Sequence, residues 1–356
     1  MNAAYTRPLT CLALVALPWC AACSSTAPGV KPEDVAVRTG DTALLIVGDK
    51  EPIARILLRD GDPLLVQQLM APGARRVLRP DLKDESRPAP QGTSQDHPHQ
   101  RGIRVAHGDV NGHHLWEEEG TIKVISHTLD LPLDGGVRMV ANLEWRAPDG
   151  DLLCTETRTL TVRPFTDRRE LDVEIELSAT GDGVTFGDEK DGLLGLRLAD
   201  AFQLSRSGTA LNSDGRRDFD LWGKSARWVA YAAPLSDRNG ELADVTVAVL
   251  DHPDNERYPT RWHARPYGLV AANPFGLSVF DGDSESRGDR RLASYEKLKF
   301  RYRIVAATEP LDAARIEGWC AEFSGLPRVE IGTTADVPEE DATTNPEDAS
   351  GESGEK

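Results

Sequence analysis

"GVRMVANLEWRAPDGDLLCTETRTLTV", Gly136 to Val162, decides the fold class. In its first ten residues Val137, Met139, Ala141, Leu143 and Trp145 alternate with polar neighbours, a period of two that puts them on one face of a strand. "PDGD" then turns the chain and "LLCTETRTLTV" returns it, which predicts a β-hairpin. "ELDVEIEL" repeats the pattern with Leu171, Val173, Ile175 and Leu177. In "KLKFRYRI", Leu298, Phe300, Tyr302 and Ile304 are expected to face in, and Lys299, Arg301 and Arg303 out. "TALLIV" and "VTVAVL" are continuous apolar runs and read as central strands. Helical spacing is clearest in "LDAARIEGWCAEF", through Ile316, Trp319, Cys320 and Phe323. Many antiparallel strands with turn-rich connections predict an all-β fold, a large antiparallel β-sandwich with a short C-terminal helix, over residues 40–330.

Both ends of the 356-residue chain read differently. Arg7 precedes the apolar run "LTCLALVALPW", and "CAAC" ends at Cys23, the layout of a lipoprotein-type signal peptide over residues 1–22. Cys20 stands where a leucine is usual in that box. The expectation is export to the cell envelope or periplasm, with Cys23 acylated and residues 23–39 serving as a tether; the acyl chain is then the membrane anchor. Residues 331–356 are acidic and nearly devoid of apolar side chains, so a disordered tail is expected. From Asp336 onward, eight carboxylates against one lysine supply seven of the 17 net negative charges. The acidic balance argues against nucleic acid as a partner. Without the signal, Cys154 and Cys320 remain, either as a disulfide or as two buried thiols.

Chemistry gathers in "DHPHQRGIRVAHGDVNGHHLWEEEG", Asp96 to Gly120, which holds five of the eight histidines: His97, His99, His107, His113 and His114. Three readings compete. The first is a transition-metal site using His97, His99 and His107. The second is acid–base or binding chemistry without a metal, in which a histidine moves a proton, Arg101 holds an anion and Trp116 stacks on a sugar face. The third is structural, with Asp96 and Asp109 capping turns. "DHP" recurs at Asp251 to Pro253, placing His252 at a strand end. "RYPTRWHARPYG" then brings Arg261, Trp262, His263 and Tyr267 close together, as sugar or carboxylate recognition uses them. "FGDEKDG" offers Asp188, Glu189 and Asp191 as carboxylates for general base work.

In this order, "DHPHQRG", "HGDVNG" with Trp116, "FGDEKDG", "NSDG", "WGKSARWV", "DHP", "PTRWH", "YGL" and "NPFG" resemble the bacterial PmoA family, over about residues 40–325. Despite that family's methane-oxygenase label, the mature chain has no apolar run of about twenty residues. It looks more like a galactose-mutarotase type of supersandwich. Against the family pattern, Gln100 replaces a histidine, His113 and His114 replace less polar residues, and Asp191 stands where a glutamate is expected. The resemblance demotes Glu189 and promotes Asp191. The expected cleft has His97, His99, Arg101, His107, Asp109 and Asn111 on one side and His252, Arg261, Trp262 and His263 on the other. His97 or His107 is the expected general acid, Asp191 or Asp109 the base or orienter, and Trp262 the stacking platform. Arg101 and Arg261 are the expected anion clamps. The expected ligand is a carbohydrate; the alternatives are a histidine-ligated metalloprotein or a non-catalytic surface module.

Overall fold

The computed structural model describes residues 35–326 except 41–42, 49, 59–62, 132–135 and 286. The signal, Cys23 and the acidic tail therefore lie outside the described residues. Strands β1 (Val35–Gly40), β2 (Ala43–Gly48), β3 (Glu51–Leu57) and β4 (Leu65–Ala71) run as a meander, followed by the short β5 (Arg75–Arg76) and β6 (Ile103–Val105). The long strands β7 (Thr121–Asp130), β8 (Val137–Arg146), β9 (Leu152–Pro164) and β10 (Arg168–Ala179) come next. After β11 (Val184–Phe186) and β12 (Leu194–Arg197) come β13 (Thr209–Asn212), β14 (Trp228–Ser236) and β15 (Leu242–Asp251). The chain closes with β16 (Arg261–Ala264), β17 (Leu269–Asn273), α1 (Leu277–Asp281), β18 (Arg290–Leu292), β19 (Lys297–Ala307) and α2 (Ala313–Ser324).

These strands form two large antiparallel sheets. The first runs β1-β2-β3-β4-β6-β12-β17-β16, with β5 added beside β4; the second runs β13-β14-β15-β19-β10-β9-β8-β7. β11 and β18 make a small separate ladder. Alternation was a sound guide. β8 buries Val137, Met139, Ala141, Leu143 and Trp145, and the turn closes as Gly150 N–H donates to Ala147 O. β15 lies inside the second sheet as a continuous apolar run should, whereas β2 is buried only at alternate residues. β1 starts within the stretch expected to be tether.

The core between the sheets encloses a charged pair, Arg158 and Glu156. Arg158 donates to both oxygens of Glu156 (2.6 and 2.7 Å) and to Leu64 O (3.1 Å), while Trp145 Nε1 donates to Glu156 Oε2 (2.8 Å). A buried ion pair costs desolvation that its attraction and further hydrogen bonds must offset, and here each Arg158 nitrogen has an acceptor and Glu156 accepts a third bond.

The outer face of the second sheet corrects one expectation. Lys299 is exposed, but Arg301 and Arg303, which do point away from the core, are buried under α2. α2 lays Ile316, Trp319, Cys320 and Phe323 on Trp228, Leu250 and Val305. Arg303 is accepted beneath it by its cross-strand partner Asp172 (Nε to Oδ1 2.6 Å, Nη2 to Oδ2 2.9 Å) and stacks on Phe323. Cys154 and Cys320 are buried free thiols. Among the described residues, no helix is long and apolar enough to cross a membrane.

Trp145 is fully buried in this core and bonds the buried Glu156 carboxylate. Trp145→Ala is expected to cost about 3–5 kcal/mol, measured by urea unfolding. A loss under about 1 kcal/mol would mean that Trp145 does not anchor the core.

Candidate functional site

Strand parity sets the site. Val105, Leu194, Ala272 and Trp262 lie opposite one another across β6, β12, β17 and β16, and this row faces the core. The adjacent row, Arg104, Gly195, Ala271 and His263, faces outward. Trp262 is thus fully buried, with Nε1 donating to Ala226 O (2.8 Å), and cannot be the stacking platform. Trp116 is buried too. It lies on the outer face over Gly195, where an added Cβ would come within 2.3 Å of its ring, and under Arg104. Neither tryptophan presents a face to a sugar.

Further along the outer face, two buried guanidinium groups shape the histidine loop. Arg79 donates to the carbonyls of Asp96 (2.6 Å), His97 (2.9 Å) and Gln100 (3.0 Å). Arg197, on β12, donates from Nη2 to both Asp96 oxygens (2.9 Å each) and from Nη1 to Gln100 Oε1 (3.0 Å). Gln100, the departure from the family pattern, is therefore an acceptor for a buried arginine. Burial, and then the neighbouring Arg197 charge, hold the Arg79 guanidinium down at about 10.

With its carbonyl turned in toward Arg79, His97 adopts φ 45°, the left-handed region few non-glycine residues enter. Its ring points out, 43% exposed, stacked on Tyr267 at 4.9 Å and 8°. His97 Nδ1 lies 2.8 Å from Asp96 Oδ2. Partial burial pushes the Asp96 carboxyl up, but the bonds from His97 and Arg197 outweigh it and hold it at about 2. An ionised carboxylate only accepts, so the imidazole proton sits on Nδ1 and Nε2 is the free base. His99 is half-buried, its ring 5.9 Å from that of His97; burial, then the Arg104 charge, lower its pKa.

Across the same face, Asp191 stands between Lys190 (Nζ to Oδ2 2.8 Å) and His263 (Nδ1 to Oδ1 3.4 Å). Burial opposes its charge, but these two partners more than compensate and keep it well below the usual carboxylate range. The loop carrying it is pinned. Asp188 accepts from Ser278 and Gly288 N–H, Asn273 Nδ2 donates to Glu189 O (2.7 Å), and His263 Nδ1 donates to Lys190 O (3.1 Å). Asp188 and the "NPFG" asparagine thus hold the loop, and Asp191 is the carboxylate it presents.

The structure places His97, His99, Asp191 and His263 on this side of the first sheet, Asp191 and His263 both buried within it, and places the other candidates elsewhere. Arg101 is buried and bidentate on Asp81 (Nε to Oδ1 and Nη2 to Oδ2, both 2.9 Å), so it is no free anion clamp. His107 is fully buried against the stacked pair Phe186 and Phe275, its Nε2 donating to Gly187 O (2.8 Å). Asp109 makes an Asx turn to Gly112 N–H and packs on Gly187. Asn111 is pinned to Thr185 (2.8 Å). His252 lies on the other sheet, buried against Phe323 of α2 with Arg301 donating to its Nε2 (3.1 Å). It therefore cannot face His97 across one cleft. Arg261 pairs with Asp281 (2.7 Å). His97, His99 and His107 do not converge, and among the described residues no group of three His, Cys, Asp or Glu side chains could hold a metal ion. The working residues that the sequence reading left out are Arg197 and Arg79; Asp96 was read as a turn cap and not as the partner of His97, and Tyr267 was grouped with Arg261 and His263 and not with His97. An arginine inside the apolar strand "LGLRLA" was the available signal for Arg197.

Fold and site together define a large antiparallel β-sandwich whose first sheet carries a histidine–carboxylate face. The chain belongs to the family described as "Family of unknown function (DUF6807)", whose model matches residues 85–321. No curated protein matches it. Among solved structures it is similar to a "putative aldose 1-epimerase" from Klebsiella pneumoniae subsp. pneumoniae MGH 78578 (8% identity, TM-score 0.43, 82% of this chain and 87% of that one). It is also similar to alpha-galactosidases from Lactobacillus brevis (10%, 0.34, 77% and 40%) and Geobacillus stearothermophilus (10%, 0.37, 78% and 41%). The chain spans about two fifths of the length of each galactosidase.

The Asp96 carboxyl titrates near 2 in the folded chain against 3.8 for the free side chain, so its ionised form adds stability above about pH 4 that is lost as pH falls through 2. Asp96→Asn is expected to be less stable than wild type at pH 7, with the gap closing between pH 4 and 2 in thermal unfolding. A gap that stays constant with pH would contradict the ion-paired role.

Proposed function

We propose that the outer face of the first sheet binds carbohydrate and that His97 moves a proton on it. The observation that carries this reading is the exposed imidazole, oriented by Asp96 and backed by Tyr267. With Nδ1 bonded to an ionised carboxylate, Nε2 can take a proton from a sugar hydroxyl, and the resulting imidazolium, stabilised by Asp96, can return it to a ring or anomeric oxygen. Asp96 acts here as the triad logic requires: it fixes tautomer and orientation and is not itself protonated. The flat His97–Tyr267 stack is a surface for the apolar face of a sugar ring.

The rest of the face supplies polar groups at differing charge. His99, shifted toward its neutral form, both donates and accepts near pH 7. The Lys190 ammonium, with its pKa raised because the bonds and charges of Asp191 and Glu189 outweigh partial burial, donates. Asp191, a buried carboxylate, accepts from Lys190 and His263 and so keeps both in place beneath the face. The motifs that resemble the PmoA family fall within the matched residues, and the family's description leaves the activity open. The apolar run after Arg7 and the box ending at Cys23 support display of this face outside the cell on a lipid anchor.

The test is a panel of neutral sugars and uronates, assayed for binding and for turnover. A ligand found by the panel should lose at least about 100-fold in kcat/KM with His97→Ala if a proton is moved, while Tyr267→Ala should weaken binding. Binding without turnover in the wild type would leave a non-catalytic module. No sugar bound, or full activity in His97→Ala, would defeat the proposal.

A further inference from the structure

A second feature of the first sheet lies outside the histidine face. A cavity of about 240 Å³ is lined by Gln67, Gln68, Arg76, Asp81 and Arg87, with Pro80, Pro88 and Pro90 as walls. This is just below the range of about 300–1,000 Å³ typical of small-molecule sites, and it has room for one small acid. It is built by a bulge. Ile56 pairs with Val66 but Arg55 pairs with Gln68, so Gln67 is an extra residue in β4. A bulge re-aims side chains, and here both glutamines reach the cavity.

The charge in it is unbalanced. The Gln68 side-chain oxygen, in the orientation its neighbours require, accepts from Arg76 Nη2 (3.0 Å) and Arg87 Nη1 (3.3 Å). One neutral oxygen thus holds two guanidinium groups. Among the described residues neither has a carboxylate partner. The one carboxylate in the lining, Asp81, is already bidentate on Arg101. Burial, and then the Arg87 charge, hold the Arg76 guanidinium below its usual range. Two like charges at this separation repel, and an anion between them removes the repulsion and gains charge-assisted bonds.

The site is also held in shape before any ligand arrives. Asp84 Oδ1 accepts from Ser86 N–H and Oγ, and Gln67 Nε2 donates to Asp84 Oδ2 (2.6 Å). Arg87 N–H donates to Asp84 O (3.0 Å), which ties the arginine's own backbone to that turn. Preorganised arginines lose less entropy on binding a planar oxyanion than free ones.

We propose that this cavity is an anion site that takes the carboxylate or sulfate group of a small acidic ligand between Arg76 and Arg87. It does not depend on the carbohydrate reading, since His97, His99, Asp191 and His263 do not line it.

The experiment titrates the full chain with sodium glucuronate, sodium sulfate and glucose at fixed ionic strength, followed by calorimetry and NMR. Saturable binding of glucuronate or sulfate, and none of glucose, is expected. The tighter of the two anions identifies the group the site takes. Arg76→Gln and Arg87→Gln should each weaken that anion at least about tenfold. Arg87 is exposed, so its variant keeps the fold and remains a valid test if Arg76→Gln does not. Absence of saturable anion binding, or equal binding by wild type and Arg87→Gln, would overturn the proposal.

Discussion

Burying Arg79 and Arg197 is the constraint from which the histidine face follows. A guanidinium taken out of water must find acceptors for its donors or forfeit far more than it gains. Both find them for their Nη groups in one loop: carbonyls of Asp96, His97 and Gln100, the Asp96 carboxylate and the Gln100 amide oxygen; only the Nε of each is left without an acceptor among the described residues. Turning those groups inward leaves the His97 side chain only the outward direction, at a positive φ. The same carboxylate that neutralises Arg197 then fixes the imidazole proton on Nδ1. Packing demand and chemical readiness come from one arrangement.

The strands were legible because most bury one face, and a period of two survives in the sequence wherever that is so. The second sheet's outer face was less legible: Arg301 and Arg303 alternate correctly, but alternation cannot tell solvent from a covering helix. The site was legible in part. His97, His99, Asp191 and His263 were legible as residue types, whereas Arg197 and Tyr267 matter through partners distant in sequence, and Asp96 joins its neighbour His97 to the distant Arg197. Two errors had local remedies. In "TRWHA", parity alone puts Trp262 on the opposite face from Arg261 and His263. The repeated "DHP" suggested one site, yet Asp96 to Pro98 lies in the loop before β6 of the first sheet while Asp251 to Pro253 closes β15 of the second, and His252 shares its outward parity with Leu250, beneath α2.

The histidine face and the arginine cavity are joined by continuous polar structure. Asp81 lines the cavity and holds Arg101, the residue after Gln100, while Gln67 ties Asp81 to Asp84. Arg101, expected as a clamp for ligand, instead clamps these two regions together. Its burial, bidentate geometry and matched carboxylate give it the rigidity such a brace needs.

The most direct test of this account is the tautomer of His97, read from the ring nitrogen shifts of ¹⁵N-histidine protein at pH 7 to 8, assigned with His97→Gln. The arrangement of Arg197, Asp96 and His97 predicts a protonated Nδ1 and a bare Nε2, lost in Asp96→Asn. A protonated Nε2, or averaged signals unaffected by Asp96→Asn, would contradict it and leave His97 an ordinary surface histidine.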